Sequence, residues 1–152
     1  MTPDLDVAII GAGPKGISLM CTLRSSGSAD VVAFEAGQPV GTWDSSLAGT
    51  SSTRTGMYFS DTIVPGHSSV PPLATYATSH PLMDPDRIAA DDMPKEVLQD
   101  YFREVIAADT LDVHTHTTVA RIALDRGVFR LYGEGFETSA RVVVDATGVV
   151  WS

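Results

Sequence analysis

Three glycines and one acid stand where they could hold a dinucleotide. Gly11, Gly13 and Gly16 follow a short apolar run, and Glu35 closes a second apolar run about 20 residues beyond the last glycine. In such a pattern the first glycine permits a tight turn, the second lets the backbone approach a pyrophosphate, and the third lets a helix pack closely on a strand. The acid can accept hydrogen bonds from ribose hydroxyls, and its charge disfavours a 2′-phosphate. The spacing therefore predicts a site for FAD or NAD rather than NADP.

The segments around these residues have the pattern of a strand, a turn, a helix and a second strand. Residues 7–10 and 31–34 are short apolar runs rich in β-branched side chains, typical of buried strands. Pro14 suits the first helical turn, because its missing N–H would have no helical partner. The unpaired N–H groups and the dipole of this helix would favour phosphate at its N-terminus. The alternative is a glycine-rich turn that serves packing alone.

Two later sequence elements narrow the choice of ligand. Gly41, Thr42 and Trp43 follow the acid closely, and residues 145–148 read Asp-Ala-Thr-Gly. With the glycine turn and the acid, these elements resemble the flavoprotein monooxygenases with two dinucleotide-binding domains: the flavin-containing, Baeyer-Villiger and N-hydroxylating monooxygenases. The resemblance implies that the glycines hold the FAD pyrophosphate, Glu35 the adenosine ribose, and residues 41–43 the ribityl side. Residues 145–148 would form a crossover turn beside the FAD.

The resemblance also gives Val119 a role, as the position where the backbone meets the adenine. Arg54, a cation among many hydroxyl side chains, could bind a phosphate or a carboxylate, or be solvated. No residue has the surroundings of a general base or a nucleophile, so no catalytic residue is predicted, and no metal site is predicted either. The predicted cofactor-binding residues are Gly11, Gly13, Pro14, Lys15, Gly16, Glu35, Gly41, Thr42, Trp43, Arg54, Val119, Thr147 and Gly148.

The sequence departs from that family in one respect. Family members continue past the Ala-Thr-Gly element into a second glycine fingerprint for NADPH, whereas no other G-x-G-x-x-G occurs in this sequence. We therefore expect residues 1–152 to be a single, partial FAD-binding domain without the NADPH domain. The expected function is the FAD-binding component of a flavin-dependent monooxygenase acting on a small molecule, inactive alone and completed by a second polypeptide that supplies the NADPH domain. The alternative is a non-catalytic FAD- or NAD-binding module or a partner-stabilising subunit.

Charge and composition exclude other functions. A formal net charge of −9, with ten scattered basic residues, disfavours nucleic acid and anionic membrane surfaces as partners. Cys21 is the only cysteine, so the sequence contains neither an intrachain disulfide nor a C-x-x-C redox pair. Its apolar neighbours predict a buried thiol. No stretch of ~18 apolar residues occurs, and the expected compartment is cytoplasmic.

The remaining sequence predicts the rest of the fold. Residues 41–81 are rich in Ser, Thr, Gly and Pro and predict a long irregular loop, either at the surface or wrapped around the flavin. Residues 94–108 have an apolar face at helical spacing. Short strands are predicted at residues 111–114, 118–124, 128–132 and 137–144. The fold class is therefore α/β, a Rossmann-like parallel sheet with its first strand central, a crossover helix and a small antiparallel β-meander.

Overall fold

The computed structural model describes residues 2–27, 30–40, 52–53, 67–90 and 92–148. Its strands are β1 (Leu5–Ile10), β2 (Val31–Phe34), β3 (Ser52–Thr53), β4 (Met93–Pro94), β5 (Val113–His114), β6 (Val119–Asp125), β7 (Val128–Gly133) and β8 (Phe136–Asp145). Its helices are α1 (Pro14–Ser25), α2 (Leu73–Thr78), α3 (Pro85–Ala90) and α4 (Lys95–Ala108). β3 and β4 form a small antiparallel pair, and the other strands form one six-stranded sheet.

The parallel part of this sheet has β1 near its centre. β1 pairs in parallel with β2 on one side and with β8 on the other, and β2 pairs in parallel with β5. Val and Ile dominate β1, as expected for a strand covered on both faces. Helix α1 connects β1 to β2. The predicted parallel sheet with a central first strand and a crossover helix is confirmed.

Strand β8 joins the parallel sheet to the meander. It is 10 residues long. Up to Ala140 it pairs antiparallel with β7, and from Ala140 onward it pairs in parallel with β1. The meander also packs on the parallel strands, where the rings of Phe34 and Phe136 stack with centroids 5.5 Å apart. The predicted meander is therefore confirmed, and hydrogen bonds make it continuous with the parallel sheet.

Helices α1 and α4 contribute to the larger hydrophobic core. The apolar face predicted for residues 94–108 is fully buried at Val97, Leu98, Tyr101, Phe102 and Val105. Burying side chains of this size stabilises the fold by about 1.5–3 kcal/mol each. The helix begins one residue later than predicted, because the backbone at position 94 is extended and pairs with β3.

The thiol of Cys21 lies in this core, as predicted. Its Sγ donates to Asp109 Oδ2 across 3.7 Å. Burial and the neighbouring carboxylate raise the pKa of the thiol to about 12. The thiol is therefore protonated at neutral pH and belongs to the packing of α1 against α4.

The prediction that residues 41–81 are irregular was wrong for their last part. Helix α2 lies there, with Leu73 and Ala77 buried on one face and packed into the same core as α4. A helix of six residues is too short to show a helical period in the sequence. Of residues 41–66, the structure describes only β3. None of the helices in the described ranges is long and apolar enough to cross a membrane.

Candidate dinucleotide-binding site

The candidate site lies at the carboxyl ends of the parallel strands. Ile10, Phe34 and Asp145 end β1, β2 and β8 and lie side by side in the sheet. Open parallel sheets bind their ligands at such an edge, where the loops after neighbouring strands meet. The glycine turn, the loop after Glu35 and the Ala-Thr-Gly turn all begin here.

Gly11 makes the turn that leaves β1. Its φ is +101°, in the left-handed region that favours glycine. Its N–H donates to the Phe34 carbonyl at 2.8 Å, which ties the turn to β2. A Cβ at this position would lie 2.9 Å from the Ala146 carbonyl oxygen. The absence of a side chain therefore lets the glycine turn lie directly against the Ala-Thr-Gly turn.

Gly13 and Gly16 have different surroundings. A Cβ on Gly16 would overlap the carbonyl oxygen of Gly11, so this position is needed for close packing of α1 on the turn. Among the described residues, a Cβ on Gly13 would meet no atom within 4 Å. Gly13 therefore has no packing reason in the described residues to lack a side chain. The open space beside it fits a ligand that approaches the backbone closely.

The N-terminus of α1 begins beside this space. Gly13 is the N-cap, no side chain of the described residues caps the helix, and the first turn contains no acid. Pro14 is the first helical residue, as predicted, and the exposed Lys15 follows it. Uncapped backbone N–H groups at a helix N-terminus favour an anion. The arrangement is suited to a phosphate group.

The carboxylate of Glu35 is held in a fixed orientation beside the turn. Its Oε2 accepts from the Ala12 N–H at 2.9 Å, and its Oε1 accepts from the Gly37 N–H at 2.9 Å. Each carboxylate oxygen can accept a second hydrogen bond. Both oxygens therefore remain able to accept from a pair of neighbouring hydroxyls, such as those of a ribose.

The Ala-Thr-Gly turn closes the site on the β8 side. The Ala146 N–H donates to the Ile10 carbonyl at 2.8 Å. Asp145 Oδ1 accepts from the Thr147 N–H at 3.0 Å and from the Thr147 hydroxyl at 2.6 Å. These bonds hold the pKa of Asp145 below its usual value. Gly148 follows with a φ of +86°, in the left-handed region that favours glycine.

The structure brings most of the predicted residues together. The members that surround the turn at the carboxyl edge are Gly11, Gly13, Pro14, Lys15, Gly16, Glu35, Thr147 and Gly148. Val119 begins β6 and packs in the smaller hydrophobic cluster that contains Phe34. The predictions for Gly41, Thr42, Trp43 and Arg54 lie outside the described residues.

Two groups that hold Glu35 were not singled out from the sequence. Ala12 and Gly37 act through backbone N–H groups, which every residue except proline carries, so no side-chain pattern could identify them. A cavity of about 310 Å³ lies at the opposite ends of the strands, lined by residues such as Arg24, Asp30 and Leu111. It is separate from the glycine turn.

Comparison with known proteins identifies the family. Residues 8–150 match the model of the pyridine nucleotide-disulphide oxidoreductases. The chain belongs to this family. The match covers both the glycine turn and the Ala-Thr-Gly turn, so membership in the pyridine nucleotide-disulphide oxidoreductases rests on a region that includes both turns of the candidate site. The prediction of FAD as the cofactor is confirmed.

Solved structures with the same fold include a disulfide reductase and a monooxygenase. Bacillithiol disulfide reductase Bdr (YpdA) from Bacillus cereus has a TM-score of 0.72 and 20% identity over 95% of this chain and 40% of its own. A flavin-containing monooxygenase from Stenotrophomonas maltophilia has a TM-score of 0.70 and 25% identity over 95% of this chain and 38% of its own. OTEMO in complex with FAD and NADP has a TM-score of 0.67 and 19% identity over 97% of this chain and 26% of its own.

The predicted resemblance to flavoprotein monooxygenases is confirmed by the family and by these neighbours. The chain spans two fifths or less of the length of the structures named above. No curated protein matches the sequence.

Proposed function

We propose that the chain is the FAD-binding part of a flavin-dependent monooxygenase that acts on a small molecule. The single observation that carries the proposal is the pairing of open space at Gly13 with the doubly held carboxylate of Glu35. A pyrophosphate fits the first and a ribose fits the second. FAD supplies the electron-transfer chemistry, and the residues of this chain bind and orient it.

The assignment of groups follows from their chemistry. The N–H groups at the start of α1 bind the pyrophosphate, and Lys15 adds a positive charge beside them. Glu35 accepts the two ribose hydroxyls of the adenosine. Its negative charge repels a 2′-phosphate, which supports FAD rather than NADP at this site. NADPH, in this proposal, binds a domain outside these 152 residues.

The cysteine content favours monooxygenation over disulfide reduction. Reduction of a disulfide by a protein dithiol needs a thiolate that can reach its substrate. Cys21 is buried, and its pKa is raised to about 12. This sequence provides no second cysteine. The residues present therefore supply no dithiol, whereas monooxygenation takes its redox chemistry from the flavin.

Strand β8 supports completion of the domain by a further element. Within the described residues, its pairing with β7 ends at Ala140, and residues 141–145 pair with β1 alone. Among the described residues, one edge of this half-strand is therefore open to another strand. We propose that a second polypeptide supplies the missing strand and the NADPH domain.

The test is a visible absorption spectrum of the purified chain, followed by titration with FAD. We expect flavin absorbance that stays with the protein through gel filtration. Glu35→Ala should weaken FAD binding by about tenfold or more, because it removes charge-assisted bonds to the ribose. Glu134→Ala is the matched control, since this exposed acid lies in the turn between β7 and β8.

Two results would count against the proposal. Equal FAD affinity in the wild type and Glu35→Ala would remove the assignment of the ribose site. A wild-type chain that takes up no FAD, alone or with an added NADPH-domain partner, would refute the assignment of the glycine turn as an FAD site.

A further inference from the structure

The turn that joins β5 to β6 is hydrogen-bonded to the loop that carries Glu35. The Thr117 N–H donates to the Glu35 carbonyl at 2.8 Å, and the His116 N–H donates to the Gly37 carbonyl at 3.0 Å. Glu35 in turn donates its N–H to the His114 carbonyl at 2.8 Å. The pairing of β2 with β5 therefore continues past the end of both strands and holds the backbone of the acid's loop.

A side-chain contact closes the same junction. The Gln38 Nε2 and His116 Nε2 atoms lie 2.8 Å apart, and both side chains are exposed. His116 has a φ of +52°, in the left-handed region that a residue other than glycine adopts only at some cost. Such a conformation persists where surrounding contacts fix it, and it is common at ligand-binding sites.

These contacts involve the same backbone groups of Gly37 that orient the Glu35 side chain. The Gly37 N–H binds the Glu35 carboxylate, and the Gly37 carbonyl binds the His116 N–H. Gln38 is the next residue along the chain, so its bond to His116 restrains the Gly37–Gln38 peptide. The Gly37–Gln38 peptide is joined through the Gly37 Cα to the Ala36–Gly37 peptide, whose N–H is one of the two that hold the carboxylate. Moving His116 would therefore shift Gly37 and weaken this second hydrogen bond.

We propose that the Gln38–His116 pair positions Glu35 and thereby sets the affinity of the site for the adenosine half of its cofactor. The inference rests on the proposed function. Neither side chain is required to touch the ligand. The pair acts through the backbone of Gly37, whose N–H keeps the carboxylate of Glu35 oriented before the ribose arrives. Less of the site then has to become ordered when the ligand binds.

The test uses ADP, which contains the pyrophosphate and the adenosine but no flavin. Isothermal titration should give ADP affinities about three- to tenfold weaker for His116→Ala and for Gln38→Ala than for the wild type. The double variant should be no weaker than the weaker single variant, because both substitutions break one contact. His116→Asn should recover most of the affinity, since asparagine tolerates a left-handed backbone and can bond to Gln38.

His114→Ala is the matched control. His114 is also an exposed histidine in this region, but its Nε2 pairs with Asp112 Oδ1 at 3.1 Å and not with the acid's loop. Its removal should change the ADP affinity by less than about twofold. Thermal unfolding of every variant identifies any that fails to fold. If His116→Ala does not fold, Gln38→Ala and His116→Asn still test the proposal.

A second readout requires no ligand. Hydrogen exchange of the Gly37 N–H should be several-fold faster in His116→Ala and Gln38→Ala, and unchanged in His114→Ala. A wild type that binds no ADP would refute the proposed function, while exchange at Gly37 would still decide whether the pair positions the loop. A wild type that binds ADP with variants of equal affinity and equal exchange would overturn the inference alone.

Discussion

The positive charge of Lys15 lies at the end of its helix where the helix dipole disfavours a cation. It lies in the first turn of α1, where the partial positive charge of the helix repels a cation by about 0.3–1 kcal/mol. No acid occupies that turn, and no carboxylate in the described ranges pairs with Lys15. A residue that breaks a local rule in this way is expected at a functional site. A bound pyrophosphate would convert the repulsion into an attraction.

We therefore expect Lys15→Met to have opposite effects on the free and the bound chain. The variant should raise the free energy of unfolding without ligand by about 0.3–1 kcal/mol, because the repulsion is removed. It should also weaken FAD binding and make that binding less dependent on salt. Urea unfolding and FAD titrations at two salt concentrations measure these effects. Lys95→Met, at the start of α4 and next to Glu96, is the control and should leave FAD binding unchanged.

The roles of some single residues could be predicted from the sequence, and those of others could not. Gly11, Gly13, Gly16 and Glu35 could be identified because their function depends on residue type and local spacing. The contact of Gln38 with His116 joins positions 78 residues apart, and no local pattern records it. The neighbouring His114 has a different partner, Asp112, so the proximity of the two histidines in the sequence does not indicate a shared role.

At the scale of elements, the junction of β1 with α1 separates a glycine that serves packing from one that fits a ligand. Gly16→Ala should destabilise the chain by about 1–3 kcal/mol, because its Cβ would overlap the Gly11 carbonyl and force the helix away. Gly13→Ala should change stability by less than about 1 kcal/mol, because its Cβ meets no atom of the described residues within 4 Å.

For FAD affinity, unlike for stability, we expect substitution of Gly13 to have a large effect. Gly13→Ala should weaken FAD binding about tenfold or more, because the methyl group occupies the space assigned to the pyrophosphate. Urea unfolding gives the first quantity and flavin fluorescence titration the second. A Gly13→Ala variant that binds FAD like the wild type would place the pyrophosphate elsewhere.

Elements with a strong period were predicted well. The buried face of α4 and the strands β6 and β7 were located within one or two residues. Helix α2 was missed, since six residues complete less than two turns and its burial depends on contact with α4. The division of β8 between two partner strands was also beyond the sequence, because the run Val142, Val143 and Val144 specifies a strand but not its neighbours.

For the whole molecule, carboxylates tie together segments that are distant in the sequence. Asp4 Oδ2 accepts from the N–H and the hydroxyl of Ser139, which connects the entry of β1 to β8. Asp109 Oδ1 accepts from the N–H and the hydroxyl of Ser69, which connects the end of α4 to the segment before α2. These four hydrogen bonds are at full strength only when the two carboxylates are ionised.

The pKa values of these acids therefore make stability depend on pH. Hydrogen bonds from Ser139 lower the pKa of Asp4. Burial raises the pKa of Asp109, but hydrogen bonds from Ser68, Ser69 and Cys21 outweigh it and lower the net value. A folded pKa below the unfolded value of 3.8 contributes stability above that pH, and the contribution is lost as the pH falls through the folded pKa.

We expect the contribution of these two acids to the urea midpoint to be constant from about pH 7 to pH 5 and to decrease below about pH 4. Asp109→Asn should lower the midpoint at pH 7, since the amide accepts more weakly, and should flatten the fall in acid, since it does not titrate. Asp4→Asn should do the same. The two effects should add in the double variant, because the sites share no hydrogen-bond partner. An acid-induced fall that is as steep in the double variant as in the wild type would show that other groups control it.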